Sequence, residues 1–503
     1  MSDKVSSYRR ILKTSSITGG SSVINILIGL LRTKALALLL GPSGVGLVGL
    51  YTGLMGTATT IASMGVGMIG TRQVAEAISK EDDDALAIVK RAMFWGVLML
   101  ATTGALVVWT LRELLAVQVL GSIEHSDMVG WLALGVALSV ASASQGALLQ
   151  GMRRIGDMAK LSVYGSILNT VLGIGLLWQW GSTVIWAFIL IGPLFNFLLG
   201  HLYVSRLPKI KTIVISLQDI TIQWKIFLRL GLPFMGAGLV QTVVQLWIRV
   251  SIGDQLGIEA VGHFQAAWTI SMQYIGFVLG AMGADYYPRL TGVIHDKVAA
   301  SRLVNEQTEV ALLLSAPVFI AMIGLAPWVI HLLYSAAFTP AIEVLRWQIL
   351  GDVLKVASWP MGFVILATGA GNTFFWAETT TLLLMSGLIV GLLSHLGLTV
   401  TGIAFLASYV YYLPVVYLLA WKKINFKWTG AVFWLFLIAL ASCIVVMQLS
   451  MYTEWGVVIS IGISVSFACF SLVRLITMTD LNGPLGRISS RLKKLNIKSW
   501  NYK

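Results

Sequence analysis

The chain has little charge. Asp, Glu, Lys and Arg make up 11% of its 503 residues while 57% are hydrophobic, and soluble domains carry about 25% charged residues. A shortage on that scale excludes a water-soluble fold, which could not hide so much apolar surface. Cysteine is nearly absent: Cys443 and Cys469 stand in separate hydrophobic stretches at different depths. They read as small apolar core residues and not as a disulfide or a metal pair. No G-x-x-x-x-G-K-[ST] loop occurs, so the chain does not itself turn over ATP. The segments between hydrophobic stretches are short, which argues against an enzyme with an extramembrane catalytic domain.

What fills the chain instead is fourteen hydrophobic stretches between Ile11 and Thr477. Each reaches the roughly 20 residues that a spanning helix needs. Barrel strands would alternate apolar and polar residues, whereas Phe433 to Val446 is apolar on every side. The expected fold is an all-α polytopic membrane protein with about 14 transmembrane helices. Basic residues fall in every second gap: 29 of the 35 Lys and Arg lie in segments on one side, and the opposite loops hold only Arg112. The positive-inside rule then places both termini in the cytoplasm. This asymmetry accounts for most of the net charge of +13 without a nucleic-acid partner. The first stretch is too long for a signal-peptide core and is expected to be retained.

Residues 1–204 hold spans one to six and residues 229–423 spans seven to twelve. Between them, 205–228 mixes Lys209, Lys211, Ile213, Ile215, Leu217, Ile220, Trp224, Lys225 and Phe227, a composition suited to lying along the cytoplasmic face. Residues 424–478 hold spans thirteen and fourteen. The basic tail 479–503 carries Ile488, Leu492 and Leu495 at helical spacing, which suits an anionic leaflet or a solvated end equally. The acidic run Glu81 to Asp84 reads as a solvated loop. An internal repeat links the halves: Leu40-Gly41-Pro42-Ser43-Gly44-Val45-Gly46 and Leu256-Gly257-Ile258-Glu259-Ala260-Val261-Gly262 share L-G-x-x-x-V-G at an offset of 216 residues. Six spans separate the copies, so the halves keep one orientation and are expected to be related by an axis along the membrane normal.

These two motifs, with Gly29-Leu30-Leu31-Arg32 and Tyr286-Tyr287-Pro288-Arg289-Leu290, resemble the polysaccharide-flippase branch of the multidrug/oligosaccharidyl-lipid/polysaccharide exporter superfamily, in particular O-antigen translocases of the Wzx type. The resemblance covers the first twelve helices. It implies two six-helix lobes with pseudo-two-fold symmetry around a central cavity. It also implies movement of an undecaprenyl-diphosphate-linked oligosaccharide across a bacterial inner membrane by alternating access, with a glycan polymerase and chain-length machinery as further candidate partners. Many members have twelve spans; the two extra ones match the lipid II flippases and leave their own role open. No cofactor is implied, and coupling to protons, sodium or the membrane potential stays open.

The charged residues within spans are the candidate site. A charge near the bilayer centre costs about 2.5–3.5 kcal/mol on insertion scales, so such residues usually face a cavity or a partner. Arg32, Lys34 and Arg249 are candidates for binding the diphosphate, because a guanidinium offers a planar fork matched to phosphate oxygens. Snorkelling or helix capping is the alternative for each. The resemblance favours Arg32, since Gly29 to Arg32 reproduces the G-x-x-R of the first helix of lipid II flippases. In span ten, Glu343 with Arg346 and Asp352 with Lys355 are each one turn apart. Each reads either as a neutralised structural pair or as a coupling or gating site. Asn25, Gln145, Asn169, Gln241 and Gln245 are candidates to line a sugar cavity or to join helices. Trp178 and Trp180 could stack on a sugar or anchor an interface. Glycines at 49, 53, 56, 276, 280 and 283 are expected at close helix contacts. A multidrug cation antiporter would instead show cavity carboxylates dominating; here the bases of spans one and seven face no acid within those spans. That antiporter and a lipid II flippase are the alternatives.

Overall fold

The computed structural model describes residues 2–207, 216–452 and 455–478, and no β-strand occurs among them. The linker stretch 208–215, with Lys209, Lys211, Ile213 and Ile215, and the tail 479–503 lie outside the described residues. In chain order the helices are α1 (Ser2–Ser63), α2 (Val66–Ser79), α3 (Asp83–Thr110), α4 (Arg112–Leu120), α5 (Ser126–Gly151), α6 (Ile155–Trp180), α7 (Ile185–Ser205), α8 (Leu217–Leu256), α9 (Ile258–Val293), α10 (Lys297–Gly324), α11 (Ala326–Leu333), α12 (Ala341–Ala367), α13 (Gly371–Leu396), α14 (Val400–Ile424), α15 (Gly430–Tyr452) and α16 (Gly456–Met478).

Among the described residues, nine unbroken segments are long and apolar enough to cross a bilayer. Three of them cross twice: Gly19–Ser63 bends at Gly41, Ile155–Ser205 holds α6 and α7, and Gly371–Ile424 holds α13 and α14. With α8 and α9, of 40 and 36 residues, the crossings number about fourteen. The chain is a multi-pass, all-α membrane protein. Leu31 and Leu332 stay 68% and 73% exposed, as a surface that meets lipid requires.

The internal repeat extends well beyond its motif. Gly41 and Gly257 both take positive φ (63° and 85°), as do Arg153 and Gly369 (55° and 74°) and Gly181 and Gly397 (61° and 62°). Every pair is separated by the same 216 residues. α6 and α13 begin and end at positions related by that offset. Asp82 caps α3 through Ala85 N (2.8 Å), and Asp296 caps α10 through Val298 and Ala299 N (both 3.0 Å). The acidic run at 81–84 is therefore the start of a helix, where carboxylates oppose the positive end of the dipole.

The chain forms two compact units, Met1–Gly262 and His263–Lys503. In the first, α8 runs antiparallel along the second arm of α1. Gly231 meets Gly65, Gly238 meets Thr60, Leu246 meets Gly53, and Ile258 meets Gly46. A Cβ on Gly65 would lie 2.6 Å from the Gly231 carbonyl oxygen, so glycine permits this approach. The stretch 216–228 is the start of α8 and is closed by a Ser216–Asp219 capping box. Trp224 donates to the Ala92 carbonyl (2.9 Å) with its ring in the space a Gly96 side chain would take, and Phe227 is fully buried. Ile220, Trp224 and Phe227 thus pack on α2 and α3, while Ile222 of the same stretch stays exposed. With α8 packed on α1, α2 and α3, the first unit continues to Gly262.

In α6 and α7, Asn169 seats against Gly192 and Asn196 against Gly165. Two asparagines thus interlock with two glycines of the facing helix. Gln145 of α5 fills the space above Gly200 of α7. Of the expected glycine contacts, Gly53 makes one, while Gly56, Gly276 and Gly280 have open space around them.

In the second unit α12 is buried by α14, α10, α15 and α13. α15 and α16 pack on α10 and are tied at both ends. At one end Arg346 donates to the Ile323 carbonyl of α10 (3.2 Å) and the Ser450 carbonyl of α15 (3.4 Å). It thereby neutralises two helix C-termini at once. At the other end Glu309 pairs with Arg474 (2.9 Å), and Asn305 holds the loop before α15 through the Lys427 carbonyl (3.0 Å) and Thr429 N (2.8 Å).

Candidate functional site

Arg32, on the first arm of α1, is half-buried and has no hydrogen bond or ion pair among the described residues. Lys34 is half-buried two residues on. Arg249 differs: it is 8% exposed, donates to the Gln245 carbonyl of its own helix (3.0 Å), and lies against Gly53 of the second arm. Of the three predicted bases, then, Arg32 has its guanidinium uncommitted, and it touches neither Lys34 nor Arg249 through a polar contact. Asn25 donates to Ser162 (2.7 Å), joining α1 to α6. Like Gln145 and Asn169 it lies at a helix–helix contact, and the side-chain oxygens of all three have no partner among the described residues. Gln241 is exposed. Trp178 and Trp180, 78% and 52% exposed at the end of α6, are placed as interfacial anchors are.

The second unit gathers more chemistry than its sequence announces. Asp352 is 1% exposed; Ser271 of α9 donates to its Oδ2 at 2.6 Å, and its Oδ1 has no partner among the described residues. Lys355, one turn on, has its Nζ 3.4 Å from Met272 Sδ and 5.7 and 5.6 Å from the rings of Phe405 and Tyr409, within cation–π range. No direct ion pair joins it to Asp352 among the described residues. Tyr412 of α14 donates to Glu378 of α13. Glu343 and Arg346 do not pair either: Glu343 is exposed and accepts from Thr399 (3.2 Å), and Arg346 is occupied in docking α15. Sequence reasoning missed Ser271, Glu378, Tyr409 and Tyr412. Glu378 alone left a signal, as the single acid of its span.

The repeat supplies an internal comparison. The positions 216 residues before Ser271, Asp352, Lys355, Glu378 and Tyr412 are Met55, Val136, Ser139, Ser162 and Asn196. Equivalent backbones therefore carry a charged cluster in one unit and uncharged packing in the other. Packing alone does not require these charges, so the cluster is suited to holding and moving a small ion, whereas Arg32 is suited to an anion.

Known proteins fit this description. The family model described as polysaccharide biosynthesis protein matches residues 35–343. A lipid III flippase of Escherichia coli (strain K12) is 25% identical over 425 residues, covering 82% of this chain and 99% of that protein. The lipid II flippase MurJ in an inward closed conformation matches with a TM-score of 0.68 at 14% identity, over 92% of this chain and 98% of the other. An inward-facing multidrug resistance MATE family transporter of the MOP superfamily matches with a TM-score of 0.67 at 20% identity, over 80% and 94%. The fold is the one these transporters share.

Proposed function

The chain belongs to the polysaccharide biosynthesis protein family, and from that premise we propose that it is a flippase, carrying an undecaprenyl-diphosphate-linked oligosaccharide from the cytoplasmic to the periplasmic leaflet. Its place is the bacterial inner membrane, with both termini in the cytoplasm, and its substrate is a unit of O-antigen or a related surface polysaccharide. The observation that carries this reading is Arg32, a half-buried membrane arginine with no partner among the described residues. A diphosphate diester brings about two negative charges, and opposite charges 4 Å apart attract by about 4 kcal/mol at an effective dielectric near 20. That offsets much of the cost of drawing the headgroup out of water. The near full-length relation to a lipid III flippase supports the same substrate class over a drug cation. Arg249, already engaged by Gln245, shapes the seam between α1 and α8, and Lys34 assists Arg32.

Transport proceeds by alternating access and forms or breaks no covalent bond. Asp352 couples it to an ion gradient, with Lys355 as a fixed counter-charge one turn away. Depleting the protein and following radiolabelled lipid-linked glycan tests the reading. Glycan confined to the inner leaflet is expected; normal periplasmic exposure of every undecaprenyl-linked glycan would overturn it.

A further inference from the structure

Gln348 is fully buried in α12, and neither its Nε2 nor its Oε1 has a partner among the described residues. Asp352, one turn on, has its Oδ1 in the same state. Lys355 follows after three more residues, so the spacing of four and three puts the three side chains on one helix face. Buried polar atoms are rarely left bare in proteins, and a native group with no protein partner is usually held by water or an ion. Two such groups one turn apart make one polar strip inside an apolar bundle. At the repeat-related positions stand Leu132, Val136 and Ser139, so the equivalent helix of the first unit is built without it.

We propose that Gln348, Asp352 and Lys355 form a buried hydrated file that admits the coupling proton, with Gln348 positioning the water that reaches Asp352 Oδ1. This rests on the coupling role given to Asp352 above. The step is a proton transfer: a hydronium in the file gives H⁺ to Oδ1, leaving water and a neutral carboxylic acid, and the reverse step restores the carboxylate. Ser271 already donates to Oδ2, so Oδ1 is the oxygen open to the file. A metal cation in the same place would stand beside the amine of Lys355, whereas a proton leaves no separate charge there. The titratable groups that face Asp352 and Lys355 from neighbouring helices are Glu378 on α13, bonded by Tyr412, and Tyr409 on α14. On α10 the buried acid Glu309 is taken up by Arg474, and α15 carries no carboxylate, amine or imidazole.

The test is infrared difference spectroscopy between acid and alkaline buffer, on the full-length protein in phosphatidylethanolamine–phosphatidylglycerol vesicles. Wild type should show a titrating carboxylic-acid band that moves within seconds of transfer to D2O. Asp352→Asn should abolish the band. Gln348→Met should displace its frequency and slow its exchange at least tenfold, and Gln348→Asn, which keeps an amide, should restore both in part. A wild-type band that fails to exchange, or a Gln348→Met band unchanged in position and exchange, would overturn the proposal. So would a titration displaced by sodium but not by choline. No glycan enters these measurements: protein that binds the proton yet moves no glycan would sink the flippase reading alone, and gradient-driven flipping without the band would sink this one alone.

Discussion

Gly46 and Gly262 pack reciprocally: Gly46 lies on the Ile258 carbonyl, and Gly262 lies on the Pro42 carbonyl. Each is the last glycine of one L-G-x-x-x-V-G copy, resting on the residue that follows the first glycine of the other. The two copies therefore meet with their roles exchanged, as in a local two-fold. A Cβ at either position would overlap backbone, which cannot rotate away as a side chain can.

Gly262→Ala and Gly46→Ala should each destabilise the protein by about 1–3 kcal/mol through overpacking and reduce glycan export. Gly56→Ala, with nothing within 4 Å of an added Cβ, should be neutral. Thermal unfolding in detergent, alongside export at matched protein levels, checks the contrast. Equal melting temperatures for all three would contradict the contact.

Arg32→Ala should abolish export at normal protein levels. Arg32→Lys should keep part of it, because the charge survives without the bidentate fork. Surface glycan in a strain whose chromosomal copy is depleted reports both, and full export by Arg32→Ala would remove the residue from the site.

Asp352→Asn should leave a folded protein whose transport no longer depends on the ion gradient. If Asp352 only balances Lys355, combining Asp352→Asn with Lys355→Met should recover what either single change loses. Flipping measured with and without an imposed gradient separates the outcomes, and recovery in the double variant would end the coupling role.

Arg474→Met breaks the buried pair with Glu309, a kind of change that typically costs about 3–5 kcal/mol. It should lower protein abundance, and adding Glu309→Gln should restore much of it. Immunoblots of membrane fractions decide the matter; a second change that fails to rescue would mean the ion pair does not dock α16.

The crossings were legible because a bilayer demands long apolar runs, and the repeat because a positive φ selects glycine at Gly41 and Gly257. The site was legible only in part. Asp352 and Lys355 stood out as charges in an apolar span, but their surroundings, Ser271 from 81 residues away and the rings of α14, are brought by tertiary packing that no local pattern encodes. Gln348 was overlooked because an uncharged amide in a span is usually helix glue. Trp224 and Phe227 suggested a membrane surface because a protein groove selects the same apolar and aromatic side chains. Arg346 and Glu343 looked like a pair by spacing, yet two helix ends offered the arginine better acceptors than an exposed carboxylate.

The Glu309–Arg474 pair also sets an order of events during synthesis. Its members are 165 residues apart, and at about 5–20 residues per second the acid of α10 waits on the order of ten to thirty seconds before its base leaves the ribosome. Until then α10 lacks the base that ties it to α16. A chain that stalls before α16 therefore leaves α10 without the contact that closes this end of its bundle.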